Sequence, residues 1–408
     1  MDITVLDIGT SSVKTLMASL DENGSINVNG FANTKNSGMA KSRIVDIDLT
    51  IIAIKESIQS AEIMAGRKAD NLFVSIGGSD TIGISSKGII ATKHSGGAIT
   101  PEDVVRVIAQ AKVVLTIDSN ILHVIPKEYT VDDQTNIKNP VGLLGSKLSA
   151  ETMVIAVQNI LIQNINNAVE RSGFKVNELI SQHVAAFHST LDREEMDLGV
   201  ALIDIGGGST KISIFNEDAI RYIDTIDVAG DHITKDISIG LRLTKNDSES
   251  IKLKHGACLK DLVSNEETFS APGLNERESR TISTSDLFEI IAPRVDEIIE
   301  LVSKSIEKSN MFDKLNAGIV LTGGTANLRG IKERFERKTN LPVKIGTPQR
   351  LSGITDNLNN PSFAVSVGML LYATEMFRQT GGSLSKKNLS FDGSINRFMN
   401  FFKDMFKL

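Results

Sequence analysis

The sequence predicts a two-lobed α/β fold, with inserted subdomains and an amphipathic helix near its C-terminal end. Three observations predict it. A strand–turn–strand unit occurs twice, about two hundred residues apart, as ITVLDIGTSSVKTLMA at 3–18 and VALIDIGGGSTKISIF at 200–215, the mark of two similar lobes. A third glycine turn, Thr322-Gly323-Gly324-Thr325, follows an apolar run at 317–321 and leads to a helical pattern beginning near Asn327. With 408 residues, the chain is longer than one hydrophobic core usually serves.

In each repeated unit an apolar strand ends at an aspartate, Asp7 or Asp204. Gly9, Thr10, Ser11 and Ser12 follow the first, and Gly206, Gly207, Gly208, Ser209 and Thr210 the second. A further strand then begins, with Lys14 or with the alternating run Lys211–Phe215. Glycine lets backbone N–H groups close on an anion with no Cβ in the way. A carboxylate beside such a turn suits a hydrated divalent cation that bridges it to phosphate. A helix start after a glycine turn suits a phosphate or a ribose. One such turn alone reads equally well as a plain hairpin; three in this order form a specific set.

Composition narrows the class. The chain is 41% hydrophobic and 23% charged, as in an ordinary soluble protein, and its net charge of −6 with no basic block disfavours nucleic acid as a partner. The single cysteine, Cys258, excludes an internal disulfide framework and fits a reducing compartment. The opening MDITVLDIG has neither the basic start nor the apolar core of a signal peptide. No run of about eighteen apolar residues exists to form a transmembrane helix.

Taken in order, residues 1–82 read as a small α/β unit. Asp48 is expected to cap a helix over Leu49–Met64, with apolar residues at 51, 52, 54, 58 and 63. Leu72–Ile76 reads as a buried strand ending at Gly77-Gly78. Residues 83–161 read as an insertion. Thr100-Pro101-Glu102-Asp103 is a helix start with a threonine cap, proline at the first position and acids in the first turn, and that helix is expected to run to about Val114. Ile121–Ile125 and Tyr129–Val131 read as strands and 138–145 as a turn. Ile165–Arg171 is helical, and Val176–Ile180 leads into Ser181–His188. His183 and His188 have no Cys, Asp or Glu at ligand spacing and read as packing residues.

Beyond the second repeated unit, which ends with a strand at 219–227, residues 229–315 read as a second insertion. Ala229-Gly230-Asp231 opens a helix. Glu249 and Lys252 share a helix face, and a surface ion pair is one reading of them. Residues 264–280 read as a loop. Ser285 is expected to cap a long helix, Asp286–Lys308, with Pro293 inside it. Pro361–Phe377 is a helix containing Ala364, Gly368 and Ala373, small residues that permit close crossing.

The glycine segments resemble the first phosphate, second phosphate and adenosine motifs of the actin/Hsp70/sugar-kinase superfamily. ILHVIPKEYTVDD with IKNPVGLLG (121–145), SESIKLKHG (248–256), GIVLTGGTANLRGI (318–331) and the tail resemble one branch of it, the bacterial actin homologue FtsA. The resemblance covers nearly the whole chain. It implies an α/β, actin-like (ribonuclease H-like) two-lobed ATPase fold. The first lobe core would be 1–82 and 162–199, with the helix 361–377. The second would be 200–228 and 316–360. The insertion 83–161 would be a subdomain facing neighbouring subunits, and 229–315 a subdomain on the adenosine side that also binds the C-terminal peptide of FtsZ. The implied ligands are ATP and Mg²⁺. Asp7 and Asp204 would organise hydrated Mg²⁺, with Lys14 on the β- and γ-phosphates. Gly9, Thr10, Ser11, Ser12, Gly206, Gly207, Gly208, Ser209 and Gly230 would surround the phosphates. Gly323, Gly324, Thr325, Glu249 and Lys252 would hold the adenosine. Gln182 falls where actin has a glutamine that orients the attacking water, and a neutral amide is a poor base, so hydrolysis is expected to be slow at most. A polar helix-start residue is the alternative for Gln182. Arg294 matches a family basic position near the FtsZ peptide, with a solvent-facing arginine as its alternative.

The tail carries its own signal. Residues 378–393 form a polar linker, with an r.m.s. span of about 20–25 Å as a coil. In 394–408, Ile395, Phe398, Met399, Phe401, Phe402, Met405, Phe406 and Leu408 fill one arc of a helical wheel and polar residues the other. This is the pattern of an interfacial helix lying on anionic lipid, too short to span. The expected protein is therefore a peripheral one on the cytoplasmic face of the membrane at the division septum. It would polymerise, tether FtsZ filaments and meet other divisome proteins. Two other readings stay open: a PilM-like scaffold of type IV pili, and a cytosolic Hsp70- or sugar-kinase-type ATPase.

Overall fold

The computed structural model describes residues 2–21, 25–70, 72–93, 96–112, 118–272, 279–349, 351–353 and 356–379. Its first lobe begins with β1 (Asp2–Ile8) and β2 (Ser12–Leu20), antiparallel, with Asp7 opposite Lys14. β3 (Ile26–Lys35) pairs with β2, and a small hairpin, β4 (Met39–Ala40) and β5 (Arg43–Ile44), leads to α1 (Ile47–Ala65). The cap of α1 is Asp46, whose side chain accepts from Leu49 N–H; Asp48 instead lies in the first turn and pairs with Arg171 at 2.6 Å. Ile51, Ile54 and Ile58 are buried as read, while Ile52 and Ile63 are exposed. β6 (Leu72–Ile76) lies parallel to β1.

Next comes a separate sheet. β7 (Thr81–Ala91), α2 (Pro101–Ala111), β8 (Ser119–Val131), β9 (Gln134–Ile137) and β10 (Lys147–Gln158) form a four-stranded sheet of order β7-β10-β8-β9 with α2 on one face. The capping box at Thr100 forms as the sequence reads, but α2 ends at Ala111, short of Val114, which falls in the undescribed 113–117. The two expected strands 121–125 and 129–131 are one continuous strand. This sheet is tied to the second lobe by the Arg221–Glu128 ion pair, 3.3 Å.

The chain returns through α3 (Asn159–Arg171), which starts earlier than read, and β11 (Val176–Ser181), parallel to β6. α4 (Gln182–Thr190) and α5 (Arg193–Leu198) lead to the second lobe. There β12 (Val200–Ile205), β13 (Thr210–Asn216) and β14 (Ala219–Ile226) repeat the antiparallel pattern of β1, β2 and β3, with Asp204 opposite Lys211. α6 (Gly230–Leu241) and α7 (Lys245–His255) follow. The expected loop 264–280 contains a hairpin, β15 (Thr268–Pro272) with β16 (Ser279–Ser283); its polar composition hides a short inward row of Phe269, Ala271 and Ile282. α8 (Thr284–Lys308) is capped by Ser283, not Ser285.

β17 (Gly318–Thr322) lies parallel to β12, and a 3-10 turn, Gly324–Asn327, follows it. The expected helix near Asn327 is that turn; α9 (Ile331–Thr339) begins four residues later. β18 (Val343–Ile345) closes the second sheet, and β19 (Ser352–Gly353) crosses back to pair with β3. A 3-10 turn, Pro361–Phe363, opens α10 (Ala364–Gln379).

The two main sheets share one topology: β11-β6-β1-β2-β3, extended by β19, and β18-β17-β12-β13-β14. The central strands VLDI and VALIDI are buried on both faces, which is why they read as unbroken apolar runs. Between the sheets lie α4 and α10. A Cβ on Gly368 would overlap the Ala185 carbonyl oxygen, so glycine permits the crossing. Phe73 against Phe377 (5.7 Å) and Phe187 against Phe215 (5.0 Å) join both lobes to this pair in one core. Among the described residues no helix is long and apolar enough to cross a membrane. Arg378 and Gln379 close α10, and the rest of the expected linker and the whole of 394–408 lie outside the described residues.

Candidate functional site

A cavity of about 240 Å³ lies between the lobes. The three glycine turns form much of its wall. Every residue read from the sequence as phosphate-, adenosine- or metal-binding lines it: Asp7, Gly9, Thr10, Ser11, Ser12 and Lys14 from the first hairpin, Asp204, Gly206, Gly207, Gly208 and Ser209 from the second, then Gly230, Glu249, Lys252, Gly323, Gly324 and Thr325. Gln182 lines it too. Arg294 does not; it lies on α8, held by Asp236 at 2.6 Å and by Glu297.

Asp7 is buried at the end of β1 and holds the first lobe's side of the site together. Its Oδ1 accepts from Ser75 Oγ at 2.8 Å and Gln182 Nε2 at 3.3 Å, its Oδ2 from Ser366 Oγ at 3.3 Å, and Lys14 Nζ stands 3.7 Å away. Gln182 Nε2 also donates to Ser75 at 3.2 Å. The amide hydrogens of Gln182 are thus engaged, and its carbonyl oxygen is packed where Gly77 has no Cβ. On the other side, Asp204 Oδ2 accepts from Lys211 Nζ at 3.3 Å, while a Cβ on Gly323 would overlap its Oδ1.

The glycines of the second turn have a further reason to be glycine. A Cβ on Gly207 would overlap Ser11 Oγ, and one on Gly208 would overlap Thr10 Oγ1. The lobes approach so closely here that side chains link them: Ser11 Oγ donates to Asp231 Oδ1 of α6 at 2.8 Å, and Ser42, between β4 and β5, shares a 2.8 Å hydroxyl contact with Ser209. The carbonyls of Gly206 and Gly207 accept from the first N–H groups of α6, at Gly230 (3.1 Å) and Asp231 (2.8 Å). Thr325 Oγ1 donates to Gly206 O at 2.9 Å, locking the third turn onto the second.

Glu249 and Lys252 do pair, at 2.7 Å, yet this is no surface pair. Lys252 is 8% exposed and its ammonium also donates to Gly230 O at 3.1 Å and Thr234 Oγ1 at 2.8 Å. Behind the site, His183 bridges Ser213 Oγ (3.1 Å) and Thr225 Oγ1 (3.0 Å). Burial, with Lys211 adding to it, pushes its imidazole down to about 3, so it is neutral and structural, as read.

Several lining residues escaped the sequence reading. Ser42, Ser75 and Ser362 come from segments with no phosphate pattern of their own, and Asp231 was read only as part of the helix start beside Gly230. Lys211 had a signal: it stands seven residues after Asp204, as Lys14 stands after Asp7.

A divalent cation fits this donor set only in company. Among the described residues, no group of three or more His, Cys, Asp or Glu side chains comes together to hold a metal. Asp7 and Asp204 supply hard carboxylate oxygens at the turns, which is how Mg²⁺ is held when phosphate and water provide the remaining ligands.

A family model described as "Cell division protein FtsA" matches residues 201–368, and one described as "SHS2 domain inserted in FTSA" matches 78–156, the region of the separate sheet. The cell division protein FtsA of Pseudomonas aeruginosa is 35% identical over 390 residues, 95% of this chain and 93% of its own length. Among solved structures, a chain of the PilM–PilN type IV pilus biogenesis complex superposes with TM-score 0.64 at 16% identity, covering 91% of this chain and 98% of that one. MreB5 of Spiroplasma citri bound to ADP superposes with TM-score 0.55 at 15% identity, covering 94% and 99%. At these identities, the last two show a shared actin-like fold.

Proposed function

This chain belongs to the FtsA family of cell division proteins, and from that premise we propose that it binds ATP–Mg²⁺ between its lobes, assembles with copies of itself, and tethers FtsZ filaments to the membrane at the septum. An actin-like part in cell division follows from the family itself. The nucleotide reading rests on one observation above the rest: turns some two hundred and three hundred residues from the first are folded into the walls of one cleft.

In this reading Asp7 and Asp204 hold the hydrated metal, whose charge offsets that of the β- and γ-phosphates. Lys14 and the hydroxyls of Thr10, Ser11 and Ser209 face the phosphates. Glu249, Lys252 and the Gly323–Thr325 turn take the nucleoside. The Ser11–Asp231 and Ser42–Ser209 links join the two lobes at this cleft. Gln182 is an amide with its hydrogens engaged by Asp7 and Ser75; it can orient water but accepts no proton, so turnover is slow at most.

The 229–315 subdomain is the proposed seat of the FtsZ peptide. Arg294 there is already ion-paired with Asp236 and Glu297, so a peptide carboxylate would have to compete with both. Residues 394–408 are the proposed lipid contact, supported by an apolar arc that includes four phenylalanines and two methionines and lies opposite Asn396, Arg397, Lys403 and Lys407 on a helical wheel. Co-sedimentation with anionic vesicles tests the tether, comparing the full chain with one ending at residue 393, each with and without ATP–Mg²⁺. The full chain is expected to pellet, more so with ATP–Mg²⁺, and the truncated one to stay in solution. Equal behaviour of the two chains would remove the membrane from the proposal.

A further inference from the structure

Lys211 has more hydrogen-bonding capacity than its surroundings use. Its side chain is 8% exposed, and among the described residues its ammonium makes one hydrogen bond, to Asp204 Oδ2. An ammonium carries three donors, and burying them without acceptors is costly. Lys252, in the same cleft and equally buried, is fully engaged by Gly230, Thr234 and Glu249. Lys211 lines the cavity beside the second glycine turn: a Cβ on Gly206 would lie 3.9 Å from its Nζ.

The position is also symmetric. The register of β12 with β13 puts Lys211 opposite Asp204, as that of β1 with β2 puts Lys14 opposite Asp7. The deep end of the cleft therefore holds two carboxylates and two ammonium groups, one pair from each lobe. With Lys14 alone this end would be net negative, and a triphosphate could enter only with its charge screened by a metal. With Lys211 it is balanced. Lys211 also occupies Oδ2 of Asp204, which leaves Oδ1 for the proposed metal shell.

Resting on the nucleotide reading above, we propose that Lys211 is a phosphate-contacting cation of the second lobe that takes over part of the divalent ion's charge, so that nucleotide binding in this chain depends only weakly on Mg²⁺. The interaction is Coulombic at close range from a side chain only 8% exposed, where a unit charge has a larger effect on a polyanion than it would in bulk water.

The test is titration of the full chain with a fluorescent ATP analogue in Mg²⁺ and in EDTA, for the wild type, Lys211→Met and Lys211→Arg, with thermal melts of each without ligand. The wild type is expected to lose less than about thirtyfold in affinity on removal of Mg²⁺, Lys211→Met at least about tenfold more than the wild type, and Lys211→Arg close to the wild-type loss. The same loss in wild type and Lys211→Met overturns the proposal. If the methionine variant does not fold, the wild type decides alone, and a loss above about thirtyfold overturns it. A wild type that binds no nucleotide in either buffer overturns the nucleotide site itself, an outcome distinct from a site that binds but ignores Lys211.

Discussion

Asp7 concentrates the demands of the site on one side chain. Two hydroxyls, an amide and an ammonium converge on its carboxylate, from β2, β6, α4 and α10. Asp7→Asn keeps an oxygen for Ser75 and Gln182 but removes the charge. We expect it to lower affinity for ATP–Mg²⁺ by about tenfold or more, read by titration, while the melt of the ligand-free chain shifts by only a few degrees. Unchanged affinity would show that Asp7 organises the lobe and not a metal. The two aspartates stood out because the Asp–x–Gly turn occurs in both repeated units, where one such turn alone would read equally well as a plain hairpin. Lys211 was legible as well, through a spacing it shares with Lys14, but strand alternation explained it too readily. Ser75 was not legible: it is a hydroxyl in the apolar strand LFVSI, and its partner lies 68 residues away.

At the scale of elements, the crossing of α4 and α10 carries the connection between lobes. Gly368→Val would drive a branched side chain into the Ala185 carbonyl, and a cost of about 3 kcal/mol or more is expected, read as a lowered midpoint in thermal melting. Gly66→Ala is the comparison: nothing lies near its Cβ, only its left-handed φ of 66° opposes the change, and about 1 kcal/mol is expected. The small residues that mark this crossing were read correctly because close packing leaves no other choice of side chain. Cap positions were harder. The run Ile-Ser-Thr-Ser-Asp offers two serines, and Ser283 wins because Asp286, three residues on, returns its hydrogen bond, which Phe288 cannot do for Ser285. Two buried histidines, His123 on β8 and His183 on α4, set an acid limit. Burial lowers His123 to about 4 and His183 to about 3, against 6.5 for the free side chain. The unfolded chain therefore binds more protons than the folded one below about pH 6.5, and stability falls as pH drops from there toward the folded values. Melting midpoints are expected to be flat from pH 7 to 8 and to decline below about 6.5, with a shallower decline in His183→Gln. An equal slope in that variant would assign the decline to other groups.

For the molecule as a whole, the argument concerns number. A single short amphipathic helix holds a bilayer reversibly, and no helix among the described residues is long and apolar enough to cross one. Many helices carried by one assembly bind together, each at an effective concentration set by its linker, so the assembly dissociates far more slowly than its parts. If ATP in the cleft favours assembly, then nucleotide state, polymer and membrane attachment are three readings of one equilibrium. Residues 380–408 fused to a monomeric fluorescent carrier should therefore bind anionic vesicles weakly, with a hyperbolic dependence on concentration. The full chain in ATP–Mg²⁺ should bind with a steep, sigmoidal dependence, and Asp7→Asn should return its curve toward that of the fusion. Sedimentation across a concentration series distinguishes these curves. Superimposable curves for the full chain and the fusion would mean that each tail acts alone, and that the actin-like body contributes nothing to the hold on the membrane.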